Sequence, residues 1–155
     1  MHADNIKEQW SKDSVLSSDY HRESMKIPQL HSKYLNYFFD EKKDLTRMQK
    51  AYAKMRRIRF EYFTGTIEPG MLDKFNWEPF LRKILKTDVQ MYLDSDEVLS
   101  TMEVELQDQK DKIHFIEEVL KQIAQRNTDS KKTKAGENQE KAKRKLRNTN
   151  SVTVM

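Results

Sequence analysis

Cysteine is absent from the 155-residue chain, so disulfides and thiolate metal sites are excluded. Three glycines and three prolines are too few for a turn-rich all-β fold and favour long helices. No apolar run approaches the roughly 20 residues that span a bilayer. Residues 1 to 10 lack the apolar centre of a signal peptide. These absences imply a soluble protein of a reducing, intracellular compartment, without a membrane partner. Gly65, Gly70 and Gly136 stand apart, so there is no glycine-rich phosphate loop, and no nucleophile sits in a recognisable catalytic setting. An enzyme is not expected. His2, His21, His31 and His114 lack ligand spacing, and the acidic run Asp94 to Glu97 lacks the glycine of an EF-hand loop, so neither metal nor cofactor is expected. Apolar residues are themselves scarce, 36% of the chain against 35% charged. Helices that share apolar faces with other subunits resolve that shortage.

The net charge of +4 is unevenly spread. From Arg126 onward there are nine basic residues and three acidic ones, which leaves the rest of the chain at −2. A nucleic-acid site in the body therefore has to be a local patch.

What is present is helical periodicity. Ile6 and Trp10, four apart, predict a short helix over residues 3 to 12. Ser17, Ser18 and Asp19 are N-cap candidates for a long helix over residues 20 to 64. Its apolar seam is Tyr34, Phe38, Leu45, Met48, Tyr52, Met55 and Tyr62, with Glu41 and Arg59 as polar interruptions at steps of three and four. Pro28 either sits in a first turn or kinks this helix. Gly65 is placed to stop it.

Residues 65 to 92 form a connector with a turn signal at Pro69 and Gly70 and an aromatic cluster of Phe75, Trp77 and Phe80. A short helix is expected around residues 79 to 85. Asp94, with Glu97 three later, reads as a capping box for a second long helix over residues 94 to 126. Its seam is Leu99, Met102, Leu106, Gln109, Ile113, Ile116, Leu120 and Ile123. The expected fold is all-α: a short N-terminal helix in an arm over residues 1 to 19, a helical domain over 20 to 126 whose two long helices pair as a hairpin, and a tail over 127 to 155. The tail is basic without apolar periodicity and is expected to be disordered in isolation, with a nascent helix over Glu137 to Arg147 as the alternative. Seam spacing alone leaves open whether pairing is within or between chains.

Between Leu45 and Phe60 lie Arg47, Lys50, Lys54, Arg56, Arg57 and Arg59, with no acidic residue inside the run. Tyr52, Phe60, Tyr62 and Phe63 are interleaved or adjacent. Cations for phosphates and flat faces for bases are what a single-stranded nucleic acid requires. Lys50, Lys54 and Arg57 fall in line on a helix, with Arg56 and Arg59 on an adjoining strip. A solvated helix face explains the same run, although such a face usually supplies acidic partners at i+4. Composition leaves the two readings even.

Some of these strings resemble the UvsY-type recombination mediators of tailed phages. Tyr20 to Phe39, with Ser32-Lys-Tyr-Leu-Asn36 inside it, is similar to the family's first long helix. Met55-Arg-Arg-Ile-Arg-Phe-Glu-Tyr-Phe-Thr-Gly65 is similar to its basic stretch with a paired-aromatic, hydroxyl and glycine ending. Tyr92-Leu-Asp-Ser-Asp-Glu-Val-Leu99 and the helix after it resemble the second half. The resemblance covers roughly residues 12 to 126.

It implies a ring-shaped homo-oligomer in the host cell cytoplasm. The implied partners are single-stranded DNA, the phage single-strand-binding protein and a RecA-like phage recombinase that the protein helps load. The family's DNA-contacting pair falls on Arg57 and Arg59, to which the charge pattern adds Lys50, Lys54 and Arg56. Trp10 corresponds to the aromatics that dock into neighbouring subunits, and Tyr34 and Phe38 join it as expected interface residues. The chain departs from its relatives after Arg126, where Asp129-Ser-Lys-Lys-Thr-Lys replaces further apolar residues. The competing function is a helical protein-binding adaptor or assembly factor with no nucleic-acid role.

Overall fold

The computed structural model of the chain describes residues 2–152. Five helices follow in order: α1 (Ala3–Asp13), α2 (Tyr20–Thr64), α3 (Pro69–Phe75), α4 (Val89–Asp94) and α5 (Glu97–Val152). No strand occurs among the described residues. The chain divides into two units, one from its ends (Met1–Phe38 with Phe115–Met155) and one from its middle (Phe39–His114). Helices α2 and α5 each contribute to both.

The helix ends follow local chemistry. Asp19 caps α2, its Oδ1 accepting from His21 N at 3.1 Å and Arg22 N at 3.4 Å. The helix runs through Pro28 unbroken. It stops at Gly65, which takes φ 76°. There Thr66 N donates to Glu61 O at 2.9 Å and Gly65 N to Tyr62 O at 3.4 Å, the paired bonds of a Schellman ending. Asn76 ends α3 the same way at φ 55°, with Trp77 N donating to Leu72 O at 3.0 Å. The cap of α5 is Asp96 rather than Asp94, because Leu99 N donates to Asp96 Oδ2 at 3.1 Å while Asp94 closes α4.

In the end unit, Ile6, Tyr34, Ile116, Val119 and Ile123 are buried together. Trp10 meets Tyr34 edge to face with ring centroids 5.4 Å apart. Asp13 latches α1 down: its Oδ2 accepts from Lys33 Nζ at 2.6 Å and from the Tyr34 hydroxyl at 3.0 Å. Burial, then that hydrogen bond, push the Tyr34 phenol far above its ordinary pKa. Arg126 closes the other side, donating to Ser14 O at 2.8 Å with its guanidinium over the Trp10 ring.

In the middle unit α2 and α5 run antiparallel, with residues 41, 52 and 59 meeting residues 109, 103 and 96. The second core there is Phe63, Val89, Leu93 and Leu99, with Tyr52, Met55, Tyr62, Phe80, Ile84 and Tyr92 around it. In both units the seam of α2 faces the seam of α5, which is the hairpin pairing expected from the spacing, made within one chain. The polar interruptions are as deeply buried as their apolar neighbours. Gln109 Nε2 donates to Glu41 Oε2 at 2.8 Å and to Glu41 O at 2.9 Å. Lys112 Nζ reaches the same carboxylate at 3.1 Å. Burial raises the Glu41 carboxyl, but the hydrogen bonds from Gln109 and Lys112 and the Lys112 charge outweigh it, holding the group below the ordinary carboxylate range.

Two segments depart from expectation. Residues 77 to 85 are irregular, not a short helix. The chain there is pinned by its aromatics: Trp77 stacks on Phe75 at 4.5 Å, and the Tyr62 hydroxyl donates to Glu78 O at 2.7 Å. The second departure is the tail, expected to be disordered, which continues α5 to Val152 with every side chain from 131 to 151 exposed. Helix propagation adds one hydrogen bond per residue once a nucleus exists, and the packed half of α5 supplies that nucleus. Lysine, arginine, glutamate, glutamine and alanine are good helix formers. Arg144 with Glu140 at 3.6 Å adds an i,i+4 pair.

Two outcomes follow. Ile116→Ala empties a fully buried site and should cost about 3 kcal/mol, measured as the shift in urea unfolding. The folded pKa of Glu41 lies below the unfolded one, so its contribution is present at neutral pH and lost as pH falls through the folded value. The stability difference between the wild type and Glu41→Gln should therefore shrink between about pH 6 and pH 3 in thermal melts. A constant difference would show that the charge of Glu41 contributes nothing.

Candidate nucleic-acid interface

The basic run of α2 is sorted by depth. Lys50 and Lys54 are exposed and make no ion pair among the described residues. Arg57 keeps 71% of its side chain exposed and approaches Glu61, just beyond the run, at 3.8 Å. An acidic i+4 partner therefore does exist for this one cation, contrary to the reading of the run alone. Lys50, Lys54 and Arg57 lie on one open strip, at steps of four and three. Arg47, three residues before Lys50, continues the same line but is paired with Asp44 at 2.6 Å.

Arg56 is half-buried at the edge of this strip. Its Nη2 donates to Gln90 Oε1 at 3.0 Å, and Gln90 Nε2 donates to Asp94 Oδ1 at 2.7 Å. A side chain of α4 thus holds the guanidinium in a set orientation. Gln90 was invisible to the sequence reading, since a lone glutamine in a connector carries no periodic signal.

Arg59 is not on the open strip. It is 9% exposed, and its Nε donates to Asp96 Oδ1 at 3.1 Å, with Nη2 on the same oxygen. Its guanidinium lies 4.5 Å from the Tyr62 ring centroid, 4.9 Å from Phe63 and 4.6 Å from Trp77. Cation–π contact on the flat faces and a carboxylate at the edge use the whole group. The signal for this was present: a lone arginine in an apolar seam needs a buried carboxylate.

The aromatics divide likewise. Phe63 is buried in the second core, whereas Phe60 is 47% exposed, three residues from Arg57 and four from Arg56. Ala53, Arg56, Arg57, Phe60, Gln90 and Leu93 line an open pocket of about 360 Å³. A row of tethered and exposed cations beside an accessible ring suits a polyanion with flat, unpaired bases.

The expected interface residues sit in the end unit. Tyr34 is wholly buried within its own chain, and Trp10 and Phe38 pack against the same cluster while keeping part of their area exposed. Among the described residues no three His, Asp or Glu side chains are grouped to hold a metal ion. No helix there is long and apolar enough to cross a membrane.

Comparison with known proteins places this geometry. No curated protein sequence matches the chain. Crystal structures of the bacteriophage T4 recombination mediator protein UvsY share the fold. Lattice type IV aligns with a TM-score of 0.74 at 20% identity, covering 88% of this chain and 98% of that one. Lattice type II aligns at 0.74 and 21%, covering 90% and 98%. The family model described as recombination, repair and ssDNA binding protein UvsY matches residues 9–143, from within α1, through the basic run, into the exposed part of α5. With so much of its length matched, the chain belongs to the UvsY family.

Proposed function

We propose that this chain is a recombination mediator: it binds single-stranded DNA through the open strip of α2 and promotes loading of a RecA-like recombinase onto strands covered by a phage single-strand-binding protein. The observation that carries the reading is the exposed row of Lys50, Lys54 and Arg57, with Arg56 oriented beside it. Family membership and the shared fold support it. The role is one of binding and positioning, without a chemical step.

Each subunit offers only a few phosphate contacts, so a single chain binds weakly and with strong salt dependence. A ring of identical subunits presents many strips to one strand, and effective concentration then raises avidity by orders of magnitude. Trp10 and Phe38 are the proposed contact residues of that ring, with Tyr34 as the buried support behind them. A strand held on many strips at once is bent and partly uncovered, which primes it for the recombinase.

Arg59 has a different part in this proposal. Buried against Asp96, it is a positioning residue that fixes the end of α2 and, with it, the strip. Arg59→Ala leaves Asp96 buried and unpaired, a change that typically costs about 3–5 kcal/mol. It is therefore expected to lower both stability and DNA affinity. The paired change Arg59→Met with Asp96→Asn, which removes the buried charge but keeps an oxygen to cap α5, should restore folding by circular dichroism and restore affinity with it. If the double variant folds but still binds poorly, Arg59 contacts the strand directly.

The strip itself is tested by fluorescence anisotropy with a labelled single-stranded oligonucleotide over a range of salt, with a duplex control. Lys50→Gln, Lys54→Gln and Arg57→Gln together should flatten the slope of log affinity against log salt by about 2, near 0.7 per lost contact. Wild-type protein that fails to bind at low salt would favour the adaptor reading instead.

A further inference from the structure

We infer that the pocket between α2 and α4 receives one unpaired base of the bound strand, with the Phe60 ring as its stacking face. This rests on the strip being a nucleic-acid surface, and it adds a site for the base to sites for the phosphates. Ala53, Arg56, Arg57 and Phe60 fall on one side of α2 at steps of three and four. Ala53, with only a methyl group, leaves space two turns before Phe60. Leu93, 5% exposed, is the pocket's buried apolar contribution from α4.

The rim is preorganised. The chain of bonds from Asp94 through Gln90 to Arg56 fixes one guanidinium at the edge, at 2.7 Å and 3.0 Å. Arg57, held only loosely by Glu61, remains available for a phosphate. An aromatic ring left 47% exposed on a helix whose other phenylalanine of the same turn, Phe63, is 7% exposed is a surface waiting for a flat apolar partner. Flanking cations direct that partner to be part of a polyanion. Only an unstacked base offers a free face, so the pocket accepts single strands and rejects duplex. Stacking of this kind tolerates any base, because each has a π-face.

Three variants test this by anisotropy with oligo(dT), an abasic strand of equal length and a duplex. Phe60→Leu removes the ring, and Ala53→Leu fills the pocket without changing charge. Each should weaken oligo(dT) binding roughly tenfold while leaving the salt slope unchanged. Phe60→Trp should bind as well as the wild type or better. Wild-type protein should bind the abasic strand about as weakly as Phe60→Leu binds oligo(dT). Circular dichroism checks folding, which partly exposed or exposed positions should leave intact. If the wild type binds oligo(dT) and both leucine variants match it, the pocket holds no base and this inference falls while the strip stands. If the wild type binds no single strand at low salt, the strip and the pocket fall together.

Discussion

The carboxylate of Asp96 is shared between two jobs, and much of the middle unit hangs on that sharing. Its Oδ2 accepts the Leu99 N–H and so begins α5. Its Oδ1 accepts both nitrogens that Arg59 offers from α2. The arginine in turn lies against Tyr62, Phe63 and Trp77, which draws the connector into the same place. Against an apolar pair of equal size, a buried ion pair usually adds little net stability. Its effect is selective. A slip of α2 against α5 would leave Arg59 buried without a carboxylate, and Glu41 without Gln109 and Lys112. Apolar seams alone tolerate such slips, because one leucine replaces another at little cost. We read the two polar contacts as register locks, one near each end of the middle unit's helix pair.

This explains why one helix carries cations of such different fates. Lysine is a compact, strongly hydrated charge on a flexible stem, suited to an open, solvated strip. Arginine is planar and less hydrated, so it can be buried between rings or tethered by an amide. Lys50 and Lys54 stay in solvent, Arg56 is held by Gln90, and Arg59 is taken inside. The strip depends on the lock: the helix that presents Lys50, Lys54 and Arg57 is held in register by Arg59, two residues beyond the last of them.

The legibility of all this in the sequence was uneven for physical reasons. Periodicity reports which face of a helix is buried, so the main line of both seams could be read, including the interruptions at Glu41, Arg59 and Gln109, while the buried Ile58 and Val119 lie outside the residues so read. It does not report what a face meets. The partners Asp96 and Lys112 were therefore hidden, and a buried arginine looked like part of a basic ridge. Phe60 and Phe63 both flank the seam by spacing, yet only the connector decides that Phe63 is covered and Phe60 is not. Gln90 and Asp13 each act through two polar contacts that leave no periodic pattern. The short helix expected around residues 79 to 85 does not form. In the fold Phe80 and Ile84 pack inward from an irregular segment.

The tail teaches a related point. Loss of an apolar seam after Arg126 signals that packing ends, not that the helix does. Once α5 is nucleated by its buried half, charged residues with high helix propensity extend it without a partner. The consequence is electrostatic. The chain before Arg126 carries a net −2, and the segment from Arg126 carries +6. A polyanion therefore gains little from the body as a whole and is attracted only where cations are locally concentrated, on the strip of α2 and along exposed α5. Held as a helix, the extension keeps its charges at fixed intervals with the side chains from 131 to 151 exposed. That arrangement favours rapid, salt-sensitive and sequence-blind capture of phosphate. In the proposed function, discrimination between single strand and duplex falls to a surface with a ring as well as a charge, the one that Phe60 forms beside Arg56 and Arg57.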